Sequence, residues 1–227
     1  MSNIRIFTAT QKDDIKETNL YSSILNKYHN ILKWKCSNKT FLPKLYNEQI
    51  DKAIKDSVDY LVLVHDDVHI NCSDLLERVS KYGEQFTVFG LAGTKAITVK
   101  EPVLWHLMSD RSNLRGCVAH GTKTAYAYTS FGPLPSKVVM IDGVFICINI
   151  KKLPDNIKFD ENCPSGFHFY DLIFSLDCSI KKIDVGVGDV PIIHESPGLK
   201  EMTDDWKQGQ KYFLNKYNLF LNKTLTV

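Results

Sequence analysis

Hydrophobic residues recur along the first hundred positions as short continuous runs that alternate with looser helical stripes. Apolar runs typical of strands cover 4–8, 58–65 and 86–92, and residues 31–35 alternate like a further strand. Between them, apolar residues three and four apart predict helices over about 14–28, from Pro43 to about 54, and from Asp74 onward. This β-α-β-α-β-α-β order predicts right-handed crossovers and a mostly parallel central sheet flanked by helices, which is an α/β fold.

The second half of the chain has a different pattern. Residues 94–137 alternate short aromatic pieces with glycine and proline, and we expect them to form loops over a site or a small antiparallel addition. A strand resumes over 138–150, interrupted at Asp142-Gly143, where glycine marks a bulge or lets a ligand approach the backbone. A helix over 167–179, a strand over 183–187 and a helix over 204–221 follow. We therefore predict one domain whose second half carries a smaller antiparallel or irregular region.

Composition narrows the classes of partner. The 227 residues are 44% hydrophobic and 24% charged, and the net charge is +2. That charge is too small to favour nucleic acid or an anionic membrane. The six cysteines are spaced singly, which favours a reducing compartment. With no signal-peptide pattern and no apolar span in the sequence, we expect a cytoplasmic protein, with the cytosolic face of a membrane as the alternative.

Two adjacent carboxylates, Asp66 and Asp67, directly follow the apolar run at 58–65. Ligands of open α/β sheets bind beyond the carboxyl ends of the strands, so these side chains lie where a site is expected. Neighbouring carboxylates repel each other, and a hard divalent cation relieves that repulsion. A turn with a helix cap is the alternative, but Ser73 or Asn71 can already cap the helix that begins at Asp74. The pair is a candidate site for a metal ion and a phosphate.

The helix predicted over 167–179 carries a second candidate group. His168, Asp171 and Ser175 are three and four residues apart and share one helical face. Asp171 could act as a general base towards a hydroxyl nucleophile. The alternative is a carboxylate that only stabilises the helix N-terminus through the helix dipole.

Histidines offer further candidate ligands. His194 follows a short apolar stretch and could bind a metal, although a single histidine is more often structural. His65 is expected inside the strand. Its spacing from His69 lacks the helical geometry that makes a His-x-x-x-His pair a strong zinc signal.

Seven short segments occur in a characteristic order. They are Ile4-Arg5-Ile6-Phe7-Thr8, Leu45-Tyr46-Asn47, His65-Asp66-Asp67-Val68, Leu91-Ala92-Gly93-Thr94, Ile141-Asp142-Gly143-Val144-Phe145, Phe167-His168-Phe169-Tyr170-Asp171 and His194-Glu195-Ser196-Pro197-Gly198. Together they resemble the small family-2-like group of GT-A glycosyltransferases over nearly the whole chain. The resemblance implies a single GT-A (Rossmann-like) domain over 1–227, in which residues 1–95 hold a nucleotide sugar, usually a UDP sugar. Residues 96–227 would then receive the acceptor.

The resemblance also implies roles for particular residues. Asp67 resembles the metal-binding carboxylate of a DXD-type motif, which is His-Asp-Asp here, and His194 resembles a carboxy-terminal ligand of Mn²⁺ or Mg²⁺. Asp171 matches the position of the catalytic base. The implied donor-binding residues are Thr8, Ala9, Asn47, Asp66 and Asp142.

Aromatic residues and histidines of the second half are candidate acceptor contacts. Trp105, His106 and His168 are the first choices, and Tyr126 and Tyr128 could extend an aromatic platform, since sugar faces pack on aromatic rings. Ordinary core packing is the alternative for these side chains.

The predicted activity is an inverting, metal-dependent transfer of a hexosyl or deoxyhexosyl group from a nucleotide-diphosphate sugar to an acceptor hydroxyl. The cation would neutralise charge on the leaving diphosphate, and Asp171 would deprotonate the acceptor. Two other classes stay open. One is a nucleotidyltransferase, although no glycine-rich phosphate loop with a following lysine lies near the first strand. The other is a catalytically silent sugar-binding module.

Overall fold

The computed structural model describes residues 2–97, 102–196, 198, 201–218 and 225–226. The α-helices are α1 (Asn19–Tyr28), α2 (Leu42–Lys55), α3 (Leu75–Gln85), α4 (Trp105–Met108), α5 (Tyr170–Ile180) and α6 (Asp204–Lys216). The strands of the first half are β1 (Ile4–Ala9), β2 (Leu32–Lys35), β3 (Tyr60–Val64), β4 (Val68–Ile70), β5 (Val88–Gly90), β6 (Ala92–Thr94) and β7 (Ala96–Ile97). Those of the second half are β8 (Leu114–Thr122), β9 (Ala125–Gly132), β10 (Ser136–Lys137), β11 (Met140–Ile141), β12 (Phe145–Asn149), β13 (Val185–Val187), β14 (Ile192–His194) and β15 (Leu225–Thr226).

A seven-stranded sheet in the order β10-β13-β5-β12-β3-β1-β2 forms the centre of the fold. The pairs β1–β2, β1–β3 and β5–β13 are parallel, as the alternating pattern predicts. β12 is the main exception, because it runs antiparallel to both β3 and β5. Its first residue, Phe145, lies opposite Val64 at the end of β3. The Asp142-Gly143 turn, which precedes Phe145, therefore lies at the carboxyl end of β3.

Helices cover both faces of this sheet. All five residues of β3 are buried. Tyr60, Val62 and Val64 belong to one hydrophobic cluster, which includes residues of α1, α3 and α6. Leu61 and Leu63 belong to a second cluster, which includes residues of α2 and α5. Because successive side chains of a strand point to opposite faces, the continuous apolar run is explained by burial on both sides. The predicted α/β sheet flanked by helices is confirmed.

A second sheet, in the order β11-β6-β8-β14-β4, lies beyond the carboxyl end of β3, and β9 pairs with β8 as a long antiparallel hairpin. Of residues 94–137, β8 and β9 form the predicted antiparallel addition, whereas the described residues 102–113 form short helical turns. β15 pairs with β7 in a separate two-stranded ribbon.

Several predicted boundaries are wrong in detail. The strand over 86–92 is divided between β5 and β6, and the strand over 138–150 between β11 and β12. The cap of α3 is Asp74, which makes no side-chain capping bond, rather than Ser73 or Asn71. The predicted end of the last helix at 221 lies outside the described residues.

The helix predicted from 167 begins only at Tyr170. Phe169 has a φ of 67°, in the left-handed region, so the helix cannot extend through it. His168 is consequently not on one helical face with Asp171.

None of the helices in the described part of the chain is long and apolar enough to cross a membrane.

Candidate active site at the carboxyl end of β3

Backbone pairing brings the predicted carboxylate pair and His194 together. Asp66 and Asp67 follow the end of β3 and precede β4. β14 pairs with β4 in antiparallel orientation, and His194 lies opposite Val68. The N–H of Glu195 donates to the backbone carbonyl of Asp67 at 3.0 Å. His194 is thus held beside Asp67, although the two residues are far apart in the sequence.

His65, Asp67 and His194 form a cluster of possible metal ligands. One ligand atom from each lies within 4.8 Å of the other two. Asp67 Oδ1 is 3.3 Å from His194 Nε2 and 4.0 Å from His65 Nδ1. Two ligands that share a cation at about 2.0–2.2 Å lie roughly 3 Å apart, so these distances are close to those of a metal site.

The chemistry of the cluster also fits a cation. Asp67 Oδ1 is buried, and although His194 Nε2 lies 3.3 Å away, the oxygen accepts no hydrogen bond of good geometry from any residue that the structure describes. A buried carboxylate oxygen that lacks a well-aligned hydrogen bond is costly, and a bound cation removes that cost. Imidazole nitrogens and carboxylate oxygens are both common ligands of divalent cations. The three residues are therefore suited to hold one.

The charge states of His65 and Asp67 agree with that role, whereas His194 would release a proton when a cation binds. Burial lowers the pKa of His65, which is thereby kept neutral near pH 7. Burial also acts to lower the pKa of His194, but the adjacent Asp67 outweighs it, and the net shift is upward. For Asp67, burial acts to raise the pKa, and the neighbouring His194 outweighs it, so the pKa is lowered. Asp67 is accordingly ionised, which metal ligation requires.

Asp66 connects the cluster to the end of β1. Its Oδ2 accepts a hydrogen bond from Thr10 Oγ1 at 2.5 Å, and its backbone carbonyl accepts one from the N–H of Leu20 at 3.2 Å. Thr8, on β1, is fully buried, and its hydroxyl has no hydrogen-bond partner among the described residues. Ala9 is half-buried. The predicted donor residues at this edge are thus contiguous with the metal-ligand cluster.

Asp171 lies in the first turn of α5. Burial, followed by the nearby charge of Asp142, raises the pKa of Asp171 to about 7, although backbone hydrogen bonds act in the opposite direction. A carboxylate with a pKa near the working pH is suited to general acid–base catalysis.

Gly143 packs directly against this carboxylate. A Cβ at Gly143 would lie 2.5 Å from Tyr170 Oη and 2.9 Å from Asp171 Oδ2. The glycine in this turn therefore permits a close approach of the protein's own α5. Asp142, beside it, donates its backbone N–H to the carbonyl of Ala92 and accepts on Oδ1 from the N–H of Val144.

A cavity of about 540 Å³ joins the two histidines of the metal-ligand cluster to Asp142 and Asp171, but its lining does not include Thr8, Ala9, Asp66 or Asp67. Its polar lining includes His65, His194, Asp142 and Asp171. Its apolar lining includes residues from four separate parts of the chain: Val103, Trp105, Val118, Phe131, Phe167, Phe169, Leu172 and Trp206. A largely apolar pocket with a few convergent polar groups is typical of a small-molecule site.

The structure gathers most of the predicted acceptor residues at this cavity and leaves others away from it. Trp105, His106 and His168 line it. Tyr126 and Tyr128 are exposed and contact each other, with ring centroids 5.7 Å apart, and they do not line the cavity.

Asn47 has a different role from the predicted donor contact. Its Nδ2 donates to the Phe159 carbonyl at 2.9 Å and to Glu161 Oε1 at 2.8 Å, and its Oδ1 accepts from the N–H of Phe159 at 2.8 Å. Asn47 is buried, and these bonds hold segment 159–161 against α2. The described contacts of Asn47 do not include the carboxylate pair or the histidines.

Three residues of the site were not selected by the sequence. His65 lies just past the end of β3 rather than in its interior, and its place before the two aspartates was the available signal. Thr10 immediately follows the first strand, as polar site residues in α/β folds do. His120 lines the cavity from β8, with its ring centroid 5.8 Å from that of His194. No pattern in the sequence singles out His120.

The chain is an α/β protein whose candidate site lies at the carboxyl end of β3. Residues 41–217, well over half of the chain, match the model of a glycosyltransferase-like family. The chain belongs to this family.

Two solved structures are distantly similar. A197 from STIV is 12% identical with a TM-score of 0.49, and the match covers 89% of this chain and 98% of that chain. A putative nucleotide-diphospho-sugar transferase from Desulfovibrio desulfuricans G20 is 7% identical with a TM-score of 0.43, and the match covers 98% of each chain. A search of curated proteins found no significant match.

Proposed function

We propose that the protein is an inverting, metal-dependent glycosyltransferase that moves a sugar from a nucleotide-diphosphate sugar to an acceptor hydroxyl. A UDP sugar is the first candidate donor. Family membership supports the reaction class. One observation carries the mechanism: two histidines of the metal-ligand cluster, His65 and His194, line the same cavity as Asp171, whose pKa is raised to about 7.

The donor would bind along the carboxyl ends of β1 and β3. His65, Asp67 and His194 would hold a divalent cation, Mn²⁺ or Mg²⁺, beside the diphosphate. When bound, such a cation neutralises the negative charge that develops on the leaving diphosphate. Asp66 lies between this cluster and β1 and can accept a hydrogen bond from a ribose hydroxyl.

Asp171 would remove the proton from the acceptor hydroxyl. Its raised pKa makes it a stronger base than an ordinary carboxylate, while a substantial fraction stays ionised at neutral pH. Asp142 contributes to this tuning through its charge, and it faces the cavity where the donor sugar would lie. Attack by the activated hydroxyl on the face opposite the leaving group inverts the anomeric carbon.

The apolar wall of the cavity would receive the acceptor. Trp105 and Phe167 both line the cavity, and aromatic rings are common packing partners for the faces of sugars. His106 and His168 line it as well, and burial lowers the pKa of each, so both are neutral hydrogen-bonding groups at pH 7.

Donor binding tests the first half of the proposal. The full chain is mixed with a panel of nucleotide sugars, with and without Mn²⁺, and the unfolding temperature is measured. A ligand that binds only the folded state raises the apparent stability by RT ln(1 + [L]/Kd). We expect a shift with one donor class, in the presence of metal only. No shift with any donor contradicts the proposal.

Release of nucleoside diphosphate from the donor that binds tests the second half. Asp67→Asn should lose both metal-dependent donor binding and turnover, whereas Asp171→Asn should retain donor binding and lose turnover. Asp155→Asn, which removes an exposed carboxylate elsewhere, is the matched control and should change neither. Unchanged turnover in the Asp67 or Asp171 variant removes that residue from the mechanism.

Analysis of the released products distinguishes the alternative functions. A nucleotidyltransferase would release pyrophosphate when it is supplied with a nucleoside triphosphate. A silent binding module would bind the sugar donor without releasing any product. For the active enzyme, the anomeric configuration of the product, followed by NMR, should be opposite to that of the donor sugar.

A further inference from the structure

We infer that His65 supplies a second imidazole ligand, oriented by Tyr170, and that the metal site therefore favours Co²⁺ over Mg²⁺ and Ca²⁺, with Mn²⁺ between them. This inference rests on the proposed function for the position of the site and narrows the class of cation that the site takes.

The first support is the position of His65. Its Nδ1 is the atom that faces Asp67 Oδ1, at 4.0 Å, and its ring centroid is 5.8 Å from that of His194. His65 also lines the cavity, so a cation beside Asp67 would lie between two imidazoles at the edge of the substrate site. Asp67 Oδ1, the atom between them, is the buried oxygen that lacks a well-aligned hydrogen bond from the described residues.

The second support is the hydrogen bond on the far side of the His65 ring. His65 Nε2 lies 2.8 Å from Tyr170 Oη. The Tyr170 hydroxyl is 3.4 Å from the Gly143 carbonyl and can donate its proton there, which leaves its oxygen free to accept from His65 Nε2–H. With the proton on Nε2, Nδ1 carries the free lone pair that a metal ligand needs. A hydrogen bond on the second nitrogen is the usual way in which proteins fix the tautomer of a metal-binding histidine.

The ligand set decides the preference among cations. Two imidazole nitrogens and one carboxylate oxygen replace the set of oxygen ligands that Mg²⁺ and Ca²⁺ prefer. Affinity of nitrogen-containing sites rises from Mn²⁺ through Co²⁺ along the first transition row. A site with His65 as ligand should therefore bind Co²⁺ at least about 100-fold more tightly than Mg²⁺, with Mn²⁺ between them.

The test is metal binding to the full chain, measured by calorimetry for Co²⁺, Mn²⁺, Mg²⁺ and Ca²⁺ separately. His65→Ala should weaken Co²⁺ binding about 100-fold and leave Mg²⁺ binding almost unchanged. Tyr170→Phe keeps the ring and removes the hydroxyl, and it should weaken Co²⁺ binding about 10-fold. His65→Asp should reduce the preference for Co²⁺ over Mg²⁺ to less than about 10-fold, because it exchanges nitrogen for oxygen.

A spectroscopic measurement identifies the ligands directly. Pulsed electron paramagnetic resonance of the Mn²⁺-loaded protein should show nitrogen couplings from two imidazoles, and from one in His65→Ala. His29→Ala removes an exposed histidine at the end of α1 and should change neither the affinities nor the couplings. Circular dichroism of each metal-free variant verifies that it is folded.

The outcomes separate this inference from the proposed function. If Mg²⁺ binds as tightly as Co²⁺, or if His65→Ala retains both nitrogen couplings, the inference is wrong, even when sugar transfer occurs with Mg²⁺. If Co²⁺ binds through both histidines but no nucleotide sugar is bound or cleaved, the inference stands and the proposed function fails.

Discussion

Replacement of Asp171 by asparagine should make the protein more stable and inactive at the same time. The substitution preserves the shape of the side chain but removes a charge from a half-buried position in the cavity, close to Asp142. Catalytic groups are often held in environments that destabilise their charged form, so stability and activity should move in opposite directions.

The size of the expected stability difference follows from the pKa of Asp171. In the folded state this pKa is raised from 3.8 to about 7, because the surroundings favour the neutral acid over the carboxylate. Above pH 7 the folded protein therefore carries an unfavourable charge at this position. Between pH 3.8 and 7 the folded state binds a proton that the unfolded state has lost, and the free energy of unfolding therefore falls as the pH rises. Each pKa unit corresponds to about 1.4 kcal/mol, so the full loss is at most about 4 kcal/mol. Asp171→Asn avoids this loss, and we expect it to be about 2–4 kcal/mol more stable than the parent at pH 8.

The assay is denaturant unfolding of both proteins at pH 4, 6 and 8, beside nucleoside diphosphate release at pH 7.5. The stability difference should be small at pH 4, grow through pH 6 and level off above pH 7, while turnover falls about 10²–10⁴-fold. Asp155→Asn, on the exposed surface, should show neither effect. A stability difference that does not change with pH would refute the assigned pKa, and full turnover in Asp171→Asn would refute the assigned role.

Three further predictions concern neighbouring residues. Gly143→Ala places a Cβ 2.5 Å from Tyr170 Oη, so we expect a loss of about 1–3 kcal/mol in the free energy of unfolding and a lower turnover; an unchanged melting curve would contradict the packing. The rate should rise with pH with an apparent pKa of about 7, and Asp142→Asn should move that midpoint to lower pH, because it removes a negative charge beside Asp171. An unchanged midpoint would exclude an electrostatic coupling between Asp142 and Asp171. Asn47→Ala should cost about 2–4 kcal/mol of stability through three lost hydrogen bonds and leave the donor Kd unchanged, whereas a large rise in Kd would restore Asn47 to the donor site.

The parts of the fold that depend on local pattern were predictable. The apolar run of β3 is continuous because helices cover both faces of the sheet. The end of this run marks the end of the strand, and Asp66 and Asp67 lie just beyond it. α2 begins at Leu42 with Pro43 in its first turn, where the fixed φ of proline favours a helix start.

The parts that depend on long-range pairing were not predictable from the pattern. The β8–β9 hairpin turns at Lys123-Thr124, which lacks the Asn-Gly or Asp-Gly signal of a two-residue turn. Residues 125–130 of β9 are all exposed, so no alternation of buried and exposed positions marks the strand. His120 and Phe131 of this hairpin line the cavity, and they could not be predicted as site residues because the hairpin itself was not predicted.

The residues of the candidate site also divide into those that local sequence predicts and those that only long-range pairing brings together. Asp171 was selected because it shares a predicted helical face with His168 and Ser175, but the left-handed backbone of Phe169 excludes His168 from that helix. The metal-ligand cluster requires the β4–β14 pairing to bring His194 beside Asp67. Whether His65 lies inside the strand or just past its end is a difference of one residue, which is within the usual uncertainty of a predicted boundary.

In the proposed mechanism, a divalent cation joins Asp67 and the two histidines to the diphosphate of a sugar donor. Anomalous diffraction from a crystal grown with Mn²⁺ and a nucleoside diphosphate would locate this cation. We expect one manganese peak bonded to Asp67 Oδ1, to His65 Nδ1, to His194 Nε2 and to a diphosphate oxygen. A nucleoside diphosphate bound without metal at Asp67, or manganese bound only elsewhere on the protein, would contradict it.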